Sequence, residues 1–163
     1  MVNIMTLKIS HGAFSGMCNE FHGWRCEVAR AAGYGIEEQW GGDYIVLDWD
    51  AITDDNILGV WKTPATDALL VLLAHSDTEG TIGPSEALRL ADCLAELLVP
   101  GKWRAATEKF IAACRLAASQ NKPMKFEWDP AATTQRLIEE HLREKLFREV
   151  VIQQLRAEGL NVR

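Results

Sequence analysis

The sequence has no long apolar run: its longest uninterrupted apolar stretch covers only residues 68–74. A membrane-spanning helix needs about 20 consecutive apolar residues, so we expect no transmembrane segment. The N-terminal region also lacks a basic stretch followed by an apolar core, which is the pattern of a secretory signal. These two absences predict a cytoplasmic protein.

Cysteine is scarce too, with four in 163 residues and no C-x-x-C pair. Zinc ribbons and redox motifs need that spacing, so the sequence indicates neither class. Cys18, His22 and Cys26 follow one another at four-residue steps on a predicted helix. The ends of this row lie about 12 Å apart along the helix axis, too far to share one ion. We interpret the cysteines as small buried hydrophobes with reduced thiols.

Basic residues are few in the first part of the chain. Residues 1–100 carry 5 Lys or Arg against 15 Asp or Glu, whereas residues 101–163 carry 12 against 8. An acidic body repels nucleic acid and anionic lipid. The basic residues of the last segment alternate with glutamates, which is typical of a solvated helix face. We therefore expect neither a nucleic-acid nor a membrane partner.

The periodicity of the apolar residues predicts an α+β fold, a mostly helical single domain with a small β-sheet and a long C-terminal helix. Period-two alternation predicts strands at residues 6–10, 44–48 and 123–128. Apolar residues at 21, 24, 28 and 31 predict a helix, with Ser15 as its N-cap. Residues 68–74 fit either a buried helix or a buried strand, and their Leu and Ala content favours a helix. Further helices are predicted at residues 85–98, 102–119 and 131–158, and Asp129-Pro130 opens the last of them.

Two parts are expected along the chain: an α+β core domain, residues 1–128, and a C-terminal amphipathic helix, residues 129–163. The helix carries two apolar rows at four-residue spacing, Ile138, Leu142, Leu146 and Val150, and Phe147, Val151 and Leu155. Such a helix needs a surface for its apolar face. Packing onto its own domain and pairing with a second copy both fit the pattern. We expect a homo-oligomer that forms through this helix.

The loop at residues 75–86 resembles a calcium-binding EF-hand loop in its spacing. Asp77, Glu79 and Glu86 fall at positions 3, 5 and 12 of that template, and Gly80 falls at the glycine position. His75 departs from the template, because position 1 is normally an aspartate and imidazole is a poor ligand for Ca²⁺. The same residues also fit a turn that needs no ion, in which Gly80 supplies a positive φ. A catalytic role for His75 and Asp77 is the third interpretation.

Residues 75–82, His-Ser-Asp-Thr-Glu-Gly-Thr-Ile, together with the glycine-containing loop at residues 12–16, resemble a pattern in small bacteriophage and bacterial proteins. The resemblance covers residues 7–100 and excludes the last helix. It implies a cytosolic protein of phage or bacterial origin. No activity is assigned to those proteins, so the resemblance assigns no catalytic residue.

Ser15 and His11 are the pair that a hydrolase would need first. The residues around Ser15 do not form the G-x-S-x-G elbow, and no acid is placed beside them. A helix cap is the simpler role for Ser15. A glycine-containing loop before a helix also suits an anion, although the lysine of a phosphate-binding loop is missing.

Six tryptophans are present, and three of them lie in one connecting segment among glycines and aspartates: Trp40, Trp49 and Trp61. They either fill the space under a long loop or form a stacking surface for a planar ligand or a protein partner. Their clustering is the strongest indication of binding in the sequence.

These patterns favour a small cytosolic, non-catalytic binding or regulatory protein that captures a protein partner or a small ligand through Trp40, Trp49 and Trp61. The first alternative is an EF-hand-like cation-binding protein that uses loop 75–86, with Ca²⁺ as the one cofactor considered. The second alternative is a hydrolase of unknown substrate. The sequence favours a protein that is not an enzyme.

Overall fold

The strands of the computed structural model, which describes residues 5–159, form one four-stranded sheet and one separate hairpin. The sheet has the order β2-β1-β6-β5, and every neighbouring pair is antiparallel. Its strands are β1 (Thr6–Ile9), β2 (Phe14–Met17), β5 (Glu79–Ile82) and β6 (Met124–Trp128). The hairpin pairs β3 (Ile36–Gln39) with β4 (Gly42–Ile45).

Six α-helices complete the α+β fold that the sequence predicts: α1 (Cys18–Ala31), α2 (Asp54–Ile57), α3 (Leu70–Leu73), α4 (Pro84–Ala95), α5 (Gly101–Ser119) and α6 (Pro130–Ala157). Contacts between residues divide the chain into a core unit, residues 1–128, and a C-terminal unit, residues 129–163. Among the described residues, no helix is both long and apolar enough for a membrane span.

The predicted three-stranded sheet is wrong in its membership. Residues 44–48 do not join it, because β4 ends at Ile45 and pairs only with β3. Two strands that the sequence did not indicate, β2 and β5, take the outer positions instead. Both contain glycine, Gly16 and Gly80, which weakens the strand signal in a sequence. Ser15 therefore lies within β2, and Met17 is the residue that precedes α1.

Aromatic rings hold α1 against the sheet and α5. Phe21 lies 5.9 Å from Phe126 on β6 and 5.7 Å from Trp24, measured between ring centroids. Trp24 in turn lies 4.9 Å from Phe110 on α5, and its indole N–H donates to the Thr107 hydroxyl at 3.0 Å. All of these rings are buried, so α1 has a fixed position and fixed rotation.

The apolar run at residues 68–74 forms a helix, as predicted, but only the single turn of α3. The Asp67 carboxylate accepts from the Leu69 amide at 2.9 Å and from the Tyr34 hydroxyl at 2.6 Å. The turn ends at Ala74, and the chain then runs through His75 and Asp77 toward β5. This short helix brings residues 72–77 beside α1.

The C-terminal unit consists of α6. The Asp129 side chain accepts from the Ala132 amide at 3.0 Å, so it caps the helix at the predicted place, and Pro130 follows in the first turn. Four-residue steps advance about 40° around a helix of 3.6 residues per turn. The two apolar rows therefore wind around α6 rather than forming one straight face.

Candidate functional site

The core unit contains a cleft of about 670 Å³. One side consists of residues from α1 and the segment that follows α3: His22, Arg25, Leu73, Ala74, His75, Ser76 and Asp77. The other side consists of the β3–β4 hairpin and the segment after it: Glu37, Gln39, Tyr44, Ile45, Val46, Leu47, Trp49 and Ile57. We call these two sides the floor and the wall.

Arg25 is the centre of the floor. The residue is only 5% exposed, and its guanidinium stands 4.7 Å from the centre of the Phe21 ring. Nη1 donates to the carbonyl oxygens of Leu72, at 3.3 Å, and His75, at 2.6 Å. Nη2 pairs with the Asp77 carboxylate. Burial lowers the pKa of Arg25, and the Asp77 charge acts in the opposite direction.

The Nε atom of Arg25 is buried and has no hydrogen-bond partner. Three contacts nevertheless hold the rest of the guanidinium, and one of them supplies a countercharge. A cation that is paired and hydrogen-bonded in this way fixes the backbone of residues 72–77 against α1. The floor is therefore a rigid surface.

His75 lies beside this pair and is 3% exposed. Its ring stacks on Phe126, with 3.8 Å between ring centroids and 26° between planes. Nδ1 is 2.9 Å from the Ser76 carbonyl oxygen, and Nε2 is 3.1 Å from the Thr81 carbonyl oxygen. A neutral imidazole has one N–H, so it donates to only one of these carbonyls. Burial lowers the pKa of His75, while the two carbonyls and Asp77 act to raise it.

Two glycines allow the segment after α2 to pack closely against β5. Gly59 has φ +83°, and a Cβ placed there would come within 1.5 Å of the Thr81 carbonyl oxygen. Gly80, with φ +105°, approaches the Leu58 carbonyl oxygen less closely, since a Cβ on it would lie at 2.8 Å. The backbone amides of Ser76 and Thr81 also donate hydrogen bonds to the carbonyl oxygens of residues 57 and 58. Ile57 and Ser76 thereby meet at the cleft.

The wall is attached to α1 mainly through the hairpin. The Nε2 atom of His22 is 2.7 Å from the Asp43 carbonyl oxygen, and Arg30 pairs with the Asp43 carboxylate at 2.6 Å. Beyond the hairpin, Trp49 begins a single turn of 3-10 helix and leaves 55% of its surface exposed. An indole at the edge of a cleft offers a flat face for stacking.

The three predicted contact tryptophans have different surroundings. Trp49 lines the cleft. Trp40 lies in the turn between β3 and β4, fully exposed and outside the cleft lining. Trp61 is partly buried and packs against the core, with its indole N–H buried and unpartnered. The structure therefore brings only one of the three to the cleft.

The three carboxylates of loop 75–86 that the sequence predicts as calcium ligands make different contacts. Asp77 pairs with Arg25, Glu79 is exposed at the start of β5, and Glu86 lies in the first turn of α4 near the Ser85 hydroxyl. Within residues 5–159, no three His, Cys, Asp or Glu side chains are grouped as metal ligands. The structure does not bring Asp77, Glu79 and Glu86 together.

The groups considered for hydrolysis do not meet either. Ser15 pairs with Lys8 across the β1–β2 hairpin, and His11 has its Nδ1 atom 2.8 Å from the hydroxyl of Ser10. Cys18 and Cys26, beside the cleft on α1, are buried, and burial raises the pKa of both thiols. A thiol with a raised pKa is a weak nucleophile at neutral pH.

Arg25 is not among the residues that the sequence predicts for a site, although its position on α1 indicates that it is buried. On α1, residue 25 falls four positions after Phe21 and three before Val28, and residues at that spacing share a helix face. A charged residue in the middle of an apolar stripe implies a buried partner. The partner, Asp77, lies 52 positions away along the chain, so the pair could not be assigned.

Comparison of the chain with protein-family models, with curated proteins and with solved structures found no match. The resemblance to small phage and bacterial proteins therefore stays a prediction, and the cleft itself must support any functional proposal.

Proposed function

We propose that the protein is a non-catalytic binding protein whose cleft takes a small, flat organic ligand. One observation carries the proposal: a cleft of about 670 Å³ has a rigid polar floor on one side and an aromatic and aliphatic wall, with Trp49 at its edge, on the other.

Size and lining both support this class of ligand. Small-molecule sites typically enclose 300–1,000 Å³, with mostly apolar walls and a few polar groups that fix orientation. The wall supplies apolar surface through Tyr44, Val46 and Trp49, and the floor supplies Ser76 and Asp77. A planar molecule would stack on Trp49 and direct its polar atoms to the floor.

The contacts made by the floor side chains favour binding over catalysis. A general acid or base must reach the proton that it transfers. Arg25 is held by two carbonyls and a carboxylate, and both ring nitrogens of His75 face backbone carbonyls. Those contacts hold these two side chains in structural roles.

Two tryptophans provide a matched test. A library of flat aromatic fragments is screened by NMR on the full chain, and the dissociation constants of the hits are measured for Trp49→Ala and Trp40→Ala. We expect Trp49→Ala to weaken binding about tenfold, close to 1.4 kcal/mol, because it removes the stacking face. Trp40→Ala removes a more exposed indole outside the cleft, and we expect it to leave affinity unchanged.

A screen without hits, or hits that Trp40→Ala weakens as much as Trp49→Ala, would refute the cleft as the ligand site. Turnover of any bound fragment would refute a non-catalytic role.

We also propose that α6 pairs with α6 of a second copy. A single helix of 28 residues cannot bury two apolar rows by itself, and a second helix of the same pattern supplies matching rows. Sedimentation velocity on the full chain tests this. We expect a dimer for the wild type and a monomer for Leu146→Glu.

Arg148→Gln is the matched control for that experiment. It changes the net charge by the same amount, but residue 148 lies about 160° around the helix from residue 146. A wild-type monomer, or equal dissociation by both variants, would contradict pairing through the Leu146 row.

A further inference from the structure

The wall side of the cleft carries an unbalanced negative charge. Residues 36–61 contain seven Asp or Glu and no Lys or Arg. Within residues 5–159, only one of the seven, Asp43, forms an ion pair, with Arg30 of α1. Six carboxylates in this segment make no ion pair: Glu37, Glu38, Asp48, Asp50, Asp54 and Asp55.

The cleft lining itself has the same sign. It contains one cationic side chain, Arg25, and two carboxylates, Glu37 and Asp77. Asp77 balances Arg25 through their ion pair, so Glu37 is left in excess. A cleft bordered by one sign of charge concentrates the field between its sides and attracts the opposite sign. An anionic ligand would be repelled.

Trp49 adds a second feature that suits a cation. The electron-rich face of an indole attracts an organic cation placed over it. Asp48 and Asp50 flank Trp49 in the chain, and both are exposed. Two of the six carboxylates without an ion pair are therefore direct chain neighbours of the stacking residue.

From these observations we infer that the ligand is a flat organic cation, with its ring on Trp49 and its charged nitrogen group at Glu37 and Asp77. The inference rests on the proposed function of the cleft and names the chemical class of its ligand. A metal ion is a poorer fit, because no three ligating side chains of residues 5–159 converge on one point. Dispersed carboxylates suit a cation whose charge is spread over several atoms.

Three molecules of similar shape but different charge test whether affinity depends on charge or only on shape. Benzamidine is a flat cation, benzamide is its neutral counterpart and benzoate is the anion. Their dissociation constants are measured on the full chain by NMR titration up to about 10 mM, where a Kd of 1 mM gives near saturation. We expect benzamidine to bind at least tenfold more tightly than benzamide, and benzoate to bind more weakly than either.

Neighbouring glutamates on β3 supply the matched variants. Glu37 lines the cleft, and Glu38 points to the opposite face of the strand. We expect Glu37→Gln to weaken benzamidine about fivefold while leaving benzamide unchanged, and Glu38→Gln to affect neither. We expect that raising salt from about 50 to 500 mM weakens benzamidine but not benzamide, since screening shortens the range of the attraction.

Equal affinity for benzamidine and benzamide would overturn the inference, and so would a failure of benzamidine to bind at all. Neither result decides the proposed function, because the fragment screen with Trp49→Ala tests that separately. Equal effects of Glu37→Gln and Glu38→Gln would also overturn the role assigned to Glu37.

Discussion

The two sides of the cleft differ in how they are held. Four residues of the floor are buried, and the Arg25 contacts and the stacking of His75 on Phe126 fix its position. These four are Arg25, Leu73, Ala74 and His75. The wall is a two-stranded hairpin and an acidic connection, and several of its apolar side chains, Tyr44, Val46 and Trp49, are about half exposed. The floor belongs to the core, whereas the wall joins the core mainly through Ile45, with Leu47 packed against it.

Because of this difference, we expect the floor to determine the stability of the protein and the wall to determine which ligand binds. A substitution in the floor removes contacts on which the fold depends, so its effect on the free energy of unfolding should be large. A substitution in the wall removes little buried surface and should act mainly on binding. The predictions below test that separation, from the largest expected effect to the smallest.

Gly59→Ala should have the largest effect on stability. The new Cβ overlaps the Thr81 carbonyl oxygen, and the φ of +83° is strained for alanine. Overpacking costs about 1–3 kcal/mol and left-handed backbone about 1–2 kcal/mol, so we expect a loss of about 4 kcal/mol in urea unfolding. Gly41→Ala is the control, because it has a similar φ of +89° with nothing within 4 Å. Equal losses for both variants would contradict the close contact.

Arg25→Met should lower the free energy of unfolding by about 3 kcal/mol, because it leaves the Asp77 carboxylate without its countercharge and removes a donor from the His75 and Leu72 carbonyl oxygens. Arg30→Met removes two ion pairs, with Asp43 and with Glu27, between side chains that are partly exposed. It should cost no more than about 1 kcal/mol. Urea denaturation measures both. If the two losses are the same, the buried pair is not what holds the floor.

His75 should make the stability of the floor depend on pH. Burial lowers its pKa below the ordinary value of 6.5 in the folded protein, so the unfolded chain binds the proton more readily. The contribution of His75 is therefore complete above pH 6.5 and is lost as the pH falls toward the lower folded value. We expect the free energy of unfolding to decrease over that range, and His75→Gln to flatten the decrease. An unchanged slope in the variant would exclude His75 as its source.

Variants of the wall should change stability least. Trp49→Ala and Trp40→Ala remove exposed side chains, and we expect both to unfold within about 0.5 kcal/mol of the wild type. Thermal and urea unfolding of the two variants check this. A large loss for Trp49→Ala would mean that the wall contributes to the core, and the division between the two sides would not hold.

The sequence predicted those elements whose signal is local. The alternation at residues 123–128 and the Asp-Pro start of the last helix both correspond to observed elements, β6 and α6. Residues 14–17 and 79–82 did not read as strands, because they are short and contain glycine. Residues 14–17 become a strand in the hairpin with β1. Residues 79–82 become a strand by pairing with β6, which is distant in the chain and leaves no local pattern.

The cleft could be predicted only in part, for a similar reason. Trp49 was found because an indole among aspartates has no local element to pack in. Trp61 has the same sequence context, yet it packs against the core, and only the path of the chain distinguishes the two. The Arg25–Asp77 pair joins α1 to a segment after α3, and a contact of that kind depends on topology.

The position of β6 between β1 and β5 has a consequence for how the chain folds. Residue 7 pairs with residue 128, so the first strand has only its hairpin partner until nearly the whole core unit has been synthesised. At ribosomal rates of about 5–20 residues per second, this interval is on the order of ten seconds. During that time the β1–β2 hairpin presents an open edge, and the nascent protein is then most exposed to chaperones and to aggregation.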